Sequence, residues 1–156
     1  RFVWVGPKDE AEAAAPVPAS IEFIPEQVDM PAVYSAFDLF VLASYREGFS
    51  RAAMEAAACG RPMILTDIRG CREIGQPGVH VLRVPARNSD ALARSTATLI
   101  GDPDLRARLG SSVQTRARAE FDQRHIARIS LDTYRKAMKS RRSDRIRAAE
   151  GVSSRA

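Results

Sequence analysis

The sequence is poor in the residues that build cross-links and metal centres. Cys59 and Cys71 are its only cysteines, without CxxC spacing, and His80 and His125, its only histidines, stand far apart. Neither a disulfide framework nor a clustered metal site follows from that set, and reduced thiols in a cytosolic protein are expected instead. Aromatic residues make up 6% of the chain. No apolar run approaches the length of a bilayer-spanning helix, and a signal-peptide pattern is missing. The chain also lacks a starting methionine: Arg1 leads straight into an apolar run, as expected of an excerpt or a truncated product.

What is present suits one globular domain with a sizeable core: 156 residues, 45% hydrophobic and 28% charged. The net charge of +5 is concentrated at the end of the chain. Over residues 139–156, Lys139, Arg141, Arg142, Arg145, Arg147 and Arg155 are set against only Asp144 and Glu150, which leaves the remainder close to neutral. A basic segment can meet anionic lipid head groups or nucleic acid. More often it is a solvated end, and no other feature of the chain supports a nucleic-acid partner.

The most informative stretch is 45–66. Gly48 gives a permissive backbone, Ser50 is a good N-cap, and Ala52–Ala58 is a run of strong helix formers. Gly60 stands where a left-handed C-cap belongs and Pro62 stops the helix, so the apolar Met63-Ile64-Leu65 is expected as a strand buried on both faces. Glu47 lies just before this helix and Glu55 within it. Free amides at a helix N-terminus attract an anion, and flanking carboxylates accept bonds from hydroxyls, so a phosphate between two polyols fits the layout. Taken singly, Glu47 would be a capping carboxylate and Glu55 a solvated helix residue.

Taken in order, Phe2–Val5 reads as a buried strand closed by a Gly-Pro turn, and residues 8–20 as a short helix or a loop. Ile21–Ile24 is a second strand. Asp29 caps a helix with Pro31 in its first turn, Leu39–Leu42 forms a third strand, and Val81–Val84 a fifth. Alternating strands and helices predict right-handed βαβ units in a doubly wound parallel sheet, with ligands outside the carboxyl ends of the strands. The Tyr45–Phe49 and Asp67–Arg72 loops fall on that edge. Beyond Asn88 the chain is helical, one helix ending near Ile100, one opening at Asp102-Pro103, and one following Phe121 with Ile126, Ile129 and Tyr134 on a face expected to be core.

Glu-Gly-Phe, the Ala-rich helix, Cys-Gly-Arg-Pro and a strand ending in Thr-Asp follow one another without a gap. Together they closely resemble the Glu-x7-Glu signature of the group 1 (family 4) retaining glycosyltransferases, which have GT-B architecture. The stretch Ala36–Ser44 and the loop Thr66–Ile74 extend the likeness, so residues 1–138 resemble the donor-binding C-terminal half, an α/β Rossmann-like domain, with 139–156 as a flexible basic tail. The resemblance implies that Glu47 is the catalytic-site carboxylate, orienting the donor sugar through its hydroxyls rather than attacking it. It implies that Glu55 holds the ribose hydroxyls, and that Gly48, Phe49, Ser50 and Arg51 meet the sugar and diphosphate of a UDP- or GDP-linked donor. No cofactor and no metal are implied.

The family's half begins one βα unit earlier, with a strand and loop that carry basic diphosphate contacts. Its acceptor-binding N-terminal domain is not in this sequence, so the fragment alone is expected to be inactive. Val81 stands where many relatives have glycine, and Arg46, Arg69 and Arg72 are expected as exposed surface cations. The Tyr-Arg-Glu-Gly and Gly-Cys-Arg-Glu wording resembles relatives that build cell-surface polysaccharide on lipid carriers, which implies a lipid-linked acceptor at the cytoplasmic face of a membrane. A non-catalytic nucleotide-sugar binding module, or truncated pseudoenzyme, is the alternative. A sugar-nucleotide epimerase or a phosphorylase of GT-B type is less favoured by the Glu-Gly-Phe context. An open apolar sheet edge beside Phe2–Val5 also predicts self-association.

Overall fold

A computed structural model describes residues 1–6, 18–25, 27 and 29–153, with side chains in the last helix followed to Lys139. The stretch 8–20, expected as a short helix or a loop, lies for the most part outside the described residues. Among the described residues the strands are β1 (Phe2–Val5), β2 (Ile21–Ile24), β3 (Phe40–Leu42), β4 (Met63–Thr66) and β5 (Leu82–Val84). The helices are α1 (Met30–Ser35), α2 (Arg51–Ala58), α3 (Arg69–Arg72), α4 (Ser89–Gly101), α5 (Pro103–Glu120) and α6 (Gln123–Ser153). The chain divides into two compact units, Arg1–Gln114 and Thr115–Ala156.

Every strand pairing in the first unit is parallel, as the alternation of strands and helices predicts. The strands form two sheets rather than one, β1-β2 and β3-β4-β5. Both orders occur within a doubly wound 3-2-1-4-5-6 sheet, as its strands 3-2 and 4-5-6. Position in the sheet explains burial. The central β4 has a neighbour on each side, and all four of its residues are buried. By contrast β1 is not the buried strand its composition predicts: Phe2 is 54% and Trp4 43% exposed. These two share one face of a two-stranded sheet, where Trp4 stacks on its register partner Phe23 with ring centroids 5.7 Å apart.

The helix ends follow the chemistry of their capping residues. Asp29 Oδ1 accepts from the Ala32 amide at 3.2 Å, Asn88 Oδ1 from Ala91 at 2.9 Å, and Asp102 Oδ1 from Leu105 at 2.8 Å. Helix α2 ends on Gly60 at φ +69°, with the Arg61 amide donating back to the Ala56 carbonyl. Arg61 then donates to the carbonyls of Cys59 at 3.0 Å and Phe37 at 2.8 Å, which ties the segment after α1 to the turn before β4. The core joins Ile64 and Val84 of the sheet to Leu99 of α4 and Leu109 of α5, with Leu39, Leu82, Leu92 and Leu105 around them. Each large aliphatic side chain so buried contributes about 1.5–3 kcal/mol.

The second unit is helical, from the last turn of α5 through α6, where Arg124 is capped by Asp122 Oδ1 at 2.7 Å. The stripe Ile126, Ile129 and Tyr134, expected from its spacing to be core, is instead exposed, as are Leu131 and Met138. Helical periodicity reports that a face is apolar, and covering it requires a neighbour that the described residues do not supply. The helix runs to Ser153, through most of the basic segment 139–156.

One backbone approach sets the geometry at the sheet edge. A Cβ added at Gly70 of α3 would lie 1.8 Å from the Gly48 carbonyl oxygen and 2.6 Å from that of Glu47. The β3–α2 loop therefore rests directly on α3, with no room for a side chain. Gly70→Ala is expected to lower stability by about 1–3 kcal/mol as a backbone overpacking. Gly101→Ala, where nothing lies within 4 Å, is expected to be neutral or to stabilise by up to ~1 kcal/mol. Urea midpoints of the two variants measure the contrast.

Candidate functional site at the sheet edge

The carboxyl ends of β3, β4 and β5 carry the loops that form the site. At the end of β4, the Thr66 hydroxyl donates to the Ser44 carbonyl at 2.6 Å, fastening the β3–α2 loop to the central strand. Ser44 in turn donates its hydroxyl to Glu47 Oε1 at 2.8 Å. Glu47 is thus half-buried and fixed through one oxygen, while Gly48 and Phe49 after it are exposed. Ser50 is buried and caps α2, accepting from the Ala53 amide at 3.4 Å. The Met54 amide bonds the Ser50 carbonyl, so the amides left over in the first turn, those of Arg51 and Ala52, have no acceptor among the described residues. A helix start with two free amides and a local positive field can receive an anion.

Glu55 lies further along α2, half-buried, with Oε2 accepting the Tyr34 hydroxyl at 3.2 Å and Oε1 3.8 Å from the guanidinium of Arg51. Tyr34 is 3% exposed and packs edge-on against Phe40. Its pKa is pushed up to about 12, first by burial and then by the negative charge and hydrogen bond of Glu55. The six residues singled out in the sequence, Glu47 to Arg51 and Glu55, therefore occupy one loop and the helix it opens.

The cations around the site differ in their partners. Arg46 and Arg69 are exposed, as expected, and Arg51 is exposed too, with its guanidinium 3.8 Å from Glu55. Arg72 is exposed but committed: its Nε donates to Asp67 Oδ1 at 2.8 Å, and Arg83 NH1 lies 3.6 Å from the same oxygen. Those two guanidinium groups, the Arg72 hydrogen bond foremost, hold the Asp67 carboxyl below the usual carboxylate range. Beneath the loop, the thiol of Cys71 is fully buried, and burial pushes its pKa up. Both cysteines are free. Among the described residues no group of three or more His, Cys, Asp and Glu side chains could hold a metal ion, and no helix is long and apolar enough to cross a membrane.

Four contributors escaped the sequence reading: Tyr34, Ser44, Thr66 and Gly70. Tyr34 carried a signal, because a tyrosine on the apolar face of a short helix needs a partner for its hydroxyl. Ser44 and Thr66 are polar residues closing apolar strands, a position that faces the binding edge of a parallel sheet. Gly70 carried none, since its role depends on a backbone from another element.

The family model described as "Glycosyl transferases group 1" matches residues 1–102. The chain belongs to this family. Among its curated relatives is the N,N'-diacetylbacillosaminyl-diphospho-undecaprenol alpha-1,3-N-acetylgalactosaminyltransferase of Campylobacter jejuni, 29% identical over 90% of this chain and 38% of that protein. Another is the D-inositol 3-phosphate glycosyltransferase of Salinispora tropica, 33% identical over 86% of this chain and 28% of that protein. The chain thus spans well under half the length of these group 1 glycosyl transferases. A crystal structure of Anabaena Alr3699/HepE in complex with UDP-glucose superimposes with a TM-score of 0.72 at 28% identity, over 75% of this chain and 32% of that one. The Rossmann-like α/β fold is therefore that of one part of a GT-B glycosyltransferase.

Asp67 gives the pH dependence a sign. Its folded pKa is depressed, so its contribution to stability is complete above the unfolded value near ~3.9 and is lost as pH falls through the folded one. Asp67→Asn is expected to melt below the parent at neutral pH, with the gap closing as the pH falls below the unfolded carboxyl value and through the lowered folded one. Thermal melts of both proteins across that range provide the check.

Proposed function

We propose that residues 1–138 form the nucleotide-sugar donor-binding domain of a retaining glycosyltransferase, with 139–156 as a basic tail. The observation that carries the reading is the pair of glutamates on either side of the α2 N-terminus, on the ligand-binding edge of a group 1 glycosyl transferase. The diphosphate of a UDP- or GDP-linked sugar would meet the free amides of α2, flanked by Gly48, Phe49, Ser50 and Arg51. Glu55 would accept from the ribose hydroxyls. Glu47, held by Ser44, would accept from hydroxyls of the sugar and orient it for transfer, a contribution of geometry rather than of nucleophilic attack.

As the sugar departs, negative charge grows on the diphosphate. The α2 dipole and the exposed cations Arg46, Arg51 and Arg69 would stabilise that charge without a metal or other cofactor. The complex of the Anabaena protein with UDP-glucose supports a nucleotide-sugar ligand. The diphospho-undecaprenol in the name of the Campylobacter relative supports a lipid-linked acceptor, and with it cell-surface glycoconjugate synthesis at the cytoplasmic face of the membrane. Transfer would require the acceptor-binding half of the GT-B architecture, so this chain alone would bind donor without turning it over. The exposed Phe2 and Trp4 support self-association through the β1 side.

Calorimetric titration of UDP, GDP and their glucose conjugates against the chain and against Glu55→Ala tests the reading. Binding weaker by about 1–3 kcal/mol in the variant is expected from loss of a charged hydrogen-bond acceptor. Equal affinity of parent and variant would remove the ribose role of Glu55. For Glu47→Gln, the expected loss is confined to the sugar conjugates and spares the free nucleotides.

A further inference from the structure

Glu55 has two neighbours of opposite character. Arg51, one turn earlier on α2, approaches Oε1 only to 3.8 Å from a side chain that is 86% exposed. An exposed pair of that length contributes little and yields readily to a competing donor. Tyr34 reaches Oε2 at 3.2 Å from a ring enclosed in the core, edge-on to Phe40 with centroids 5.9 Å apart. Its helix α1 packs on α2, and the chain just beyond is tied down by Arg61 through the Phe37 carbonyl. One carboxylate oxygen is thus anchored to a side chain with little freedom, and the other faces a partner that can leave.

A carboxylate receives a vicinal diol with one hydroxyl on each oxygen. Each oxygen accepts up to about two hydrogen bonds, so Oε2 can keep Tyr34 and still take a ligand hydroxyl. Left to itself, a glutamate side chain spends rotamer freedom when it binds, and ordering it beforehand lowers that cost. We infer that Tyr34 is a positioning residue, whose hydroxyl holds the Glu55 carboxylate in the orientation that receives the two adjacent hydroxyls of a nucleotide ribose. The inference rests on the donor-site reading above and adds the side chain that prepares it. Because the hydroxyl is held protonated up to about pH 12, it remains a donor under any condition in which nucleotide binding is measured.

The test compares UDP and GDP with their 2′,3′-dideoxy analogues, titrated against the chain, Tyr34→Phe, Glu55→Gln and the double variant, with thermal melts of each. Tyr34→Phe keeps the ring, and is expected to weaken the ribonucleotide by about 3–10-fold. It is also expected to leave the dideoxy analogue unchanged and to add nothing to Glu55→Gln. Tyr34→4-aminophenylalanine, which restores a donor at the same place, is expected to recover the lost affinity. If Tyr34→Phe weakens both kinds of nucleotide equally, or weakens neither while Glu55→Gln does, the positioning role is overturned and the donor site stands. Failure of the 4-amino variant to recover affinity also overturns it. If the folded chain binds neither UDP nor GDP, the donor-site reading falls and the role of Tyr34 with it; if Glu55→Gln binds as tightly as the parent, the ribose role of Glu55 falls and the role of Tyr34 with it.

Discussion

The β3–α2 loop lies against α3 so closely that only hydrogen fits at position 70, and the site takes its shape from that contact. The Gly48 and Glu47 carbonyls are seated on Gly70 along the loop's path from the end of β3 to the start of α2. Thr66 fixes the near end of that path through the Ser44 carbonyl, and the Ser50 cap fixes the far end. Glu47 lies between them. Its orientation is a property of the loop and of the Ser44 hydroxyl together, rather than of one favourable rotamer.

Two chemistries coexist within a short distance without opposing each other. Backbone amides at a helix start receive negative charge, while carboxylates receive hydroxyl protons. Were both glutamates free, their charge would weaken the attraction of the helix end for an anion. Each has part of its charge answered by a hydroxyl, Ser44 for Glu47 and Tyr34 for Glu55, and Glu55 also has Arg51 nearby. The same economy governs the cations. Arg72 and Arg83 are spent on Asp67 at the base of the neighbouring loop, which leaves Arg46, Arg51 and Arg69 to the solvent side.

Much of this was legible in the sequence because it depends on local chemistry. The Ser50 cap, the left-handed Gly60, the Asp29 cap, the helix opening at Asp102-Pro103 and the fully buried β4 follow from residue type and spacing over a few positions. Burial of β1 and of the Ile126–Tyr134 stripe was not legible, since an apolar residue states what it would prefer to cover and not whether a cover exists. The partners of the two glutamates were partly hidden for a related reason. Ser44 is three residues from Glu47, but Tyr34 is twenty-one residues from Glu55 and meets it only because α1 packs on α2.

The two free thiols give the packing beneath the site a clock of its own. Cys59, at the end of α2, is partly exposed, whereas Cys71 is sealed under the loop with its thiol held protonated by burial. A sulfhydryl reagent can attack the first directly but must wait for the second, since reaction there requires both access and ionisation. The lag of Cys71 behind Cys59 would then report how far the packing around Cys71 stays closed, in a molecule that needs no added label.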